Sequence, residues 1–539
     1  MRRFIDRRRG AAALVDLRLG RGAFIRWAWT VAAVTLLLAP LAAAATTASV
    51  NVPLDHWAYR AAERLYALGL ADTALLGARP WSREDFARLV LEARERPGAA
   101  VAATDLARLE AEFAPEVREL EGESHASYLK PVEAVTLRGI AGSGEPEALL
   151  AHGDVLGDGV DLRLDWQLHG RLGRHLALFV RPEGRWQSGN SIPFRTRGLD
   201  ASPPPVDESG GRVVLRETYA KLRLWNLEVE AGRDHLWWGL GRRGSLLLTD
   251  NAEPLDLLKV SNPDPVLLPW LLRWLGPVKV TWFWTELEKH RAIPRANLTG
   301  LRVDLKPTPN WEVGLARVIQ FGGAGRPGLL SQGLEDLVTG RNAESGETDA
   351  ENSLAAIDLA WRLRWPRPAL LYYEYGGEDQ AKLLSTLPFI SSIGQVAGLY
   401  VPRVVARWRA DLRLEFFNNI QRTSPLWYRH GTYRSGYTYR GKILGHPFGG
   451  DAEAWSVRLD LEPLDGLLLG LDTDVVRLRT GKGLEREKQY RAGLDAVWFT
   501  RGPWRYRARY DFEERRHVAG DPDADQTNHR LELGVTLDL

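Results

Sequence analysis

Residues 161–170 read DLRLDWQLHG, in which apolar and polar side chains alternate. Leu162, Leu164, Trp166 and Leu168 share one face of an extended chain, while Arg163, Asp165, Gln167 and His169 share the other. The same period of two returns in LRVDLK (301–306), IDLAWRLRW (357–365), DLRLEF (411–416), WSVRLDL (455–461), WRYRARYDF (504–512) and HRLELGVTLDL (529–539). A soluble sandwich also alternates. Here the pattern persists over roughly 400 residues, more than one sandwich core uses, and its polar face is heavily charged. A wide transmembrane barrel requires that arrangement: apolar side chains toward lipid, a wet lumen, and no sheet edge left in hydrocarbon.

Loop lengths agree. Short turns at GRLGR (170–174), WN (225–226), KPTPN (306–310), PRP (366–368), EPLDG (462–466) and TRGP (500–503) alternate with long polar stretches near 188–211, 322–352, 376–402, 418–452, 479–488 and 514–527. Outer-membrane barrels carry short periplasmic turns and long external loops. Counting from Pro131–Ile140 gives eighteen antiparallel strands across 130–539, two of them assigned in 234–297 partly to keep the number even.

Before the barrel the period is helical. His56–Leu70 places Trp57, Ala61, Leu65 and Leu68 at three- and four-residue spacing. Ser82 and Asp85 form a capping box ahead of Phe86, Leu89, Val90 and Ala93. Thr104 is the expected cap of a third helix through Leu109 and Phe113, disturbed at its end by Pro115. Residues 46–125 are therefore expected to form a small periplasmic helical bundle. Residues 1–45, arginine-rich and then apolar from Trp27 to Leu41, with small residues at Ala43–Ala45, read as a signal peptide. The length of that leader leaves the initiating methionine and the cleavage site open.

Composition narrows the chemistry. The net charge of +2 owes its sign to residues 1–45; removing their eight arginines and two aspartates leaves 63 basic against 67 acidic side chains, or −4. That balance gives no reason to expect nucleic acid as a partner. With no cysteine in the sequence, disulfides, thiolate metal sites and a lipid-modified cysteine are excluded. Histidines show no HxxxH or HExxH pair, and there is no GxSxG elbow or phosphate loop, so neither a metal, a cofactor nor an enzyme activity is expected. GGAGRPG (322–328) reads as a flexible loop. Tryptophan (21) outnumbers tyrosine (15) and phenylalanine (14), as suits membrane-interface belts or sugar platforms.

Two aromatic and basic stretches stand out. GRDHLWWGLGRRGSLLLTDNAEP (232–254) offers Arg233, Trp237, Trp238, Arg242, Arg243 and Asn251. YRSGYTYRGKILGHPFGGDAE (433–453) offers Tyr437, Tyr439, Arg440, His446 and Asp451. Aromatic faces stack on sugar rings, and the polar groups hydrogen-bond hydroxyls or uronates, so these eleven are the candidate polysaccharide-binding residues. A lipid girdle for the tryptophans and a folded glycine-rich loop for the tyrosines are the structural alternatives.

At these residues the chain resembles the Wzi-type capsule-assembly family. The resemblance is carried by VPLDHWAYRAAERL, RPWSREDFARLVLEA, GRDHLWWGLGRRGSLLLTDNAEPL, LTGLRVDLKPTPNWEVGLARVIQFGGAGRP and YRSGYTYRGKILGHPFGGDAEAWSVRLDL, in that order along nearly the whole mature chain. It implies an eighteen-stranded outer-membrane barrel with a periplasmic helical bundle. It also implies a lectin-like, non-catalytic role in assembling or attaching capsular or extracellular polysaccharide. Outer-membrane lipid, the barrel assembly machinery, and cell wall or polysaccharide export components would be further partners. Leu539 departs from the terminal phenylalanine of many barrel proteins. Residues 52–96 also resemble an S-layer-homology module, which gives the alternative of a wall-anchored porin for small solutes.

Overall fold

A computed structural model describes residues 47–539, except 124–126, 157, 189–209, 327, 329, 331–336, 338–350, 379–391, 422–426 and 480–483. The signal-peptide reading of 1–45 and most of three long loops therefore lie outside the described residues. Eighteen antiparallel strands close into a barrel. They are β1 Tyr128–Ser143, β2 Gly159–Leu172, β3 Leu176–Gln187, β4 Gly210–Leu224, β5 Leu227–Asp234, β6 Leu255–Ser261 (resuming at Val266–Leu267), β7 Pro277–Glu286, β8 Asn297–Thr308 and β9 Trp311–Phe321. The circuit continues with β10 Glu351–Leu363, β11 Ala369–Glu378, β12 Ile393–Val405, β13 Ala410–Asn418, β14 Ala452–Leu464, β15 Leu467–Leu478, β16 Glu487–Phe499, β17 Trp504–Arg516 and β18 Gln526–Asp538. β18 pairs back onto β1 from Ala134↔Asp538 to Ser143↔His529, so no edge remains. The difficult stretch 234–297 contributes two barrel strands, β6 and β7.

The decisive alternation is inverted relative to a soluble protein. On β2, Leu162, Leu164 and Trp166 are exposed, at 47, 53 and 44 %, while Arg163 and Asp165 are buried. Ile357, Leu359 and Trp361 on β10 and Leu531 and Leu533 on β18 point outward in the same way. Near the short turns Trp225, Trp365, Trp408, Trp498 and Trp504 are exposed, as are Trp270 and Trp274 in the β6–β7 connection. These rings form the interfacial girdle that the tryptophan count suggests.

The helices fill the short-turn mouth rather than standing apart. They are α1 Ala58–Ala67, α2 Arg83–Glu95, α3 Ala103–Glu112 and α4 Ala114–Leu120. Ser82 and Asp85 make the expected capping box at α2. Thr104 does not cap α3: a 3₁₀ turn, Ala99–Ala102, runs straight into the helix, so Thr104 lies inside it and accepts a hydrogen bond from Arg409 at 2.6 Å. Pro115 opens a separate helix, α4, where its missing N–H costs nothing. Ion pairs fix this plug to many points of the wall: Arg60–Asp460 at 2.9 Å, Arg64–Asp411 at 2.7 Å, Glu63–Arg413 at 2.8 Å, Arg83–Glu133 at 3.0 Å and Glu84–Arg223 at 2.8 Å. Most of these charges have a second partner, Arg64 in Asp105, Asp460 in Arg458, Arg83 in Glu116 and Arg223 in Asp264, so a network of charges rather than single pairs fixes the plug.

Candidate functional site

The long-loop mouth is filled as well. Residues 235–254, between β5 and β6, and 427–451, between β13 and β14, fold into the lumen and pack as one apolar cluster. Trp238, Leu246, Leu248, Trp427, Tyr428, Tyr437 and Phe448 belong to it. The two plugs meet inside the barrel, where Ala78–Arg79 pairs antiparallel with Trp237–Trp238 and Gly239 N donates to Gly77 O at 2.8 Å.

Wall carboxylates hold the first loop by its backbone. Glu374 on β11 accepts from Leu240 N at 2.6 Å, Gly241 N at 2.9 Å and Leu246 N at 3.1 Å, and it also contacts Ser245 Oγ. Glu415 on β13 accepts from Arg242 N and, at 2.8 Å, from Arg243 N. This accounts for the first glycine of WWGLGRRG: Gly239 has φ 130°, and a Cβ there would collide with Ser245 Oγ and Glu374.

The eleven candidate residues separate into three places. Trp238, Asn251, Tyr437, His446 and Asp451 are buried in the long-loop plug. Trp238 packs edge-on against Phe283 with centroids 5.3 Å apart, and a Cβ on Gly300 would stand 2.9 Å from its ring. Asn251 Nδ2 donates to Ile443 O at 3.0 Å, joining the two loops. His446 lies flat on Phe417.

Trp237, Arg242 and Arg243 line an internal cavity of about 340 Å³, together with Arg413, Asp472 and Arg509. Arg243 reaches Asp472 at 2.8 Å and also pairs with Asp474.

Arg233, Tyr439 and Arg440 gather at the rim. Thr438–Tyr439 pairs with Lys442–Ile443 around Arg440–Gly441, with φ 45° and 83°, which are the positive dihedrals of a type I′ hairpin. Arg440 is thereby set at a tip, 40 % exposed, paired with Glu253 at 2.7 Å and lying 5.3 Å from the centre of the Tyr439 ring. Arg233, on the outward face of β5, pairs with Asp256 at 2.8 Å.

Neither Trp237 nor Trp238 faces lipid, and among the eleven candidates only Arg440 combines charge with open exposure to the outside; Arg233 is mostly covered and Tyr439 is buried beside them. Sequence reasoning did not bring out Glu374 and Glu415, the residues that position the tryptophan loop. On a strand they are two lumen carboxylates among many, and only the fold shows what they hold.

Comparison with known proteins adds the context. A Klebsiella pneumoniae protein described as an uncharacterized 55.8 kDa protein in the cps region is 29% identical over 181 residues, which is 33% of this chain and 35% of the relative. The matched part thus spans about a third of that relative's length. Among solved structures, the Escherichia coli protein Wzi is similar in fold, with a TM-score of 0.69 at 18% identity over 91% of this chain and 100% of that one. It is described as an outer-membrane protein involved in group 1 capsule assembly and a carbohydrate-binding β-barrel. Residues 140–530 match the family described as capsule assembly protein Wzi, and the protein belongs to that family.

Proposed function

We propose that the protein holds or organises capsular or extracellular polysaccharide at the outer face of a bacterial outer membrane, as a lectin-like attachment factor without catalytic action. The observation that carries this reading is the filled lumen. Two plugs from the protein's own chain occupy its two mouths, joined by a β-pairing between Arg79 and Trp237. A polymer or a stream of solutes has little room there, so the work falls to the surface of the long-loop end. The short turns and α1–α4 face the periplasm, by the usual asymmetry of such barrels. The rim group carries the sugar contact in this reading: Arg440 at its hairpin tip, with Arg233 and Tyr439 beside it. A guanidinium suits uronate carboxylates and vicinal hydroxyls. The buried rings of Trp238 and Tyr437 support that surface from beneath. Lipid and the barrel assembly machinery are the partners any such barrel needs, and α1–α4 offer the surface for cell wall or export components.

Purified, folded protein tests the reading against polysaccharide isolated from the same organism. Saturable binding with no shortening of the polymer is expected. Absence of binding, or progressive shortening, would overturn it. In planar bilayers the porin alternative requires stable conductance steps, whereas the plugged barrel gives none.

A further inference from the structure

One cluster of side chains in the lumen has no part in the plug contacts described above. Residues 144–156, between β1 and β2, turn inward, and His152 N donates to Asp250 O at 2.9 Å. His235 follows directly on β5. Glu217 comes from β4 through a bulge. Leu215 pairs with Pro182 and Thr218 with Val180, so Arg216 and Glu217 together oppose Arg181 and both point inward.

These three residues converge on one point. His152 Nδ1 lies 2.8 Å from His235 Nε2, and Glu217 Oε1 lies 3.7 and 3.6 Å from those two nitrogens. All three are buried, at 5, 3 and 2 % exposure. A hydrogen bond between the imidazoles leaves Glu217 Oε1 out, and that atom is fully buried with no hydrogen-bond partner. Its sister oxygen is the one that faces Arg181, at 3.5 Å. A cation serves all three atoms at once. The triangle they form admits a point about 2.1 Å from each, about 0.7 Å out of their plane; zinc bonds to nitrogen and oxygen have that length, and a tetrahedral centre has that offset. The edge between the histidines is short for a regular tetrahedron and would open slightly on binding. Behind the first histidine, Asp55 Oδ2 sits 3.7 Å from His152 Nε2, in the position of the carboxylate that commonly orients a metal-bound imidazole. His152 and Asp55 also line the internal cavity, which gives the site a source of ions and of water.

We propose that His152, Glu217 and His235 bind one divalent transition metal ion of the zinc class, with water from the cavity as the remaining ligand. The ion ties the β1–β2 loop, the barrel wall and the root of the tryptophan loop into one unit, with Asp55 of the N-terminal segment as the outer support. Its role is structural, and it stands apart from the polysaccharide reading.

Untagged protein, stripped with chelator and reloaded with zinc, provides the test. Wild type should retain about one zinc per chain after gel filtration, and its melting temperature should rise with zinc. X-ray absorption should then read about two imidazole ligands, in keeping with a two-histidine, one-carboxylate set. Glu217→Gln, which keeps shape and an acceptor for Arg181, should lose most of the zinc while migrating as a folded barrel on unheated gels. His235→Gln provides the same measurement should that variant misfold. No retained zinc in wild type, equal retention in a folded variant, or an absorption spectrum without imidazole would each overturn the proposal.

Discussion

Replacing Glu374 should free the tryptophan loop while sparing the barrel. The carboxylate, 1 % exposed, is the acceptor for the backbone N–H groups of Leu240, Gly241 and Leu246. In Glu374→Ala these three donors lose their acceptor in a buried site. At about 1–3 kcal/mol each, the folded loop loses about 3–9 kcal/mol relative to an open one. Even the lower figure raises the open population by about two powers of ten. The loop carries its own reporter, because trypsin cleaves after Arg242 and Arg243 only when the strand between the two plugs is released. The expected result is at least a hundredfold faster nicking there, with unheated-gel mobility of the barrel unchanged. Glu374→Gln keeps one acceptor oxygen and should fall in between. Tyr373→Phe, on the outward face of the same strand, should match wild type. A nicking rate for Glu374→Ala within threefold of wild type would refute the assignment of this carboxylate as the anchor of the loop.

Three further outcomes are expected. Trp238→Ala removes a ring packed on Phe283 and Gly300 and should cost about 3–5 kcal/mol, seen as a lower melting temperature and faster trypsin nicking; selective loss of sugar binding at unchanged stability would point to direct contact instead. Arg440→Ala at the exposed hairpin tip should weaken polysaccharide binding several-fold and change stability by about 0.5 kcal/mol or less, so full binding at wild-type stability would move the sugar contact elsewhere. Burial, reinforced by Arg243, holds the His446 imidazole well below its usual pKa and therefore neutral in the fold. The unfolded chain takes up the proton first, so stability is present above pH ~6.5 and falls by about 1.4 kcal/mol per unit as the pH drops below it. The melting temperature of wild type should accordingly fall more between pH 7.5 and 5.5 than that of His446→Gln; equal falls would show that the ring is solvated.

The barrel was legible because its rule is local. On β2 the identities of Leu162, Arg163, Leu164 and Asp165 suffice to state which face meets lipid, and parity of the strands follows from closure. The cap at Ser82 was equally local, whereas the start of α3 was not, since alanines ahead of Thr104 already turn before any cap is needed. What escaped the sequence was the inside of the lumen. The aromatic and basic composition of 232–254 and 433–453 reads alike for a loop reaching into solvent and for one folded inward. The choice depends on Glu374 and Glu415, strands away in sequence, meeting its backbone. The His152, Glu217 and His235 cluster has no spacing to detect, because three separate elements and a bulge bring it together.

Deletion of the gene, followed by separate assay of cell-bound and released polysaccharide, tests the central claim most directly. The account predicts that total polymer is made but shifts from the cell surface to the medium, and that the wild-type gene restores retention. An unchanged cell-bound fraction in the deletion strain would contradict it.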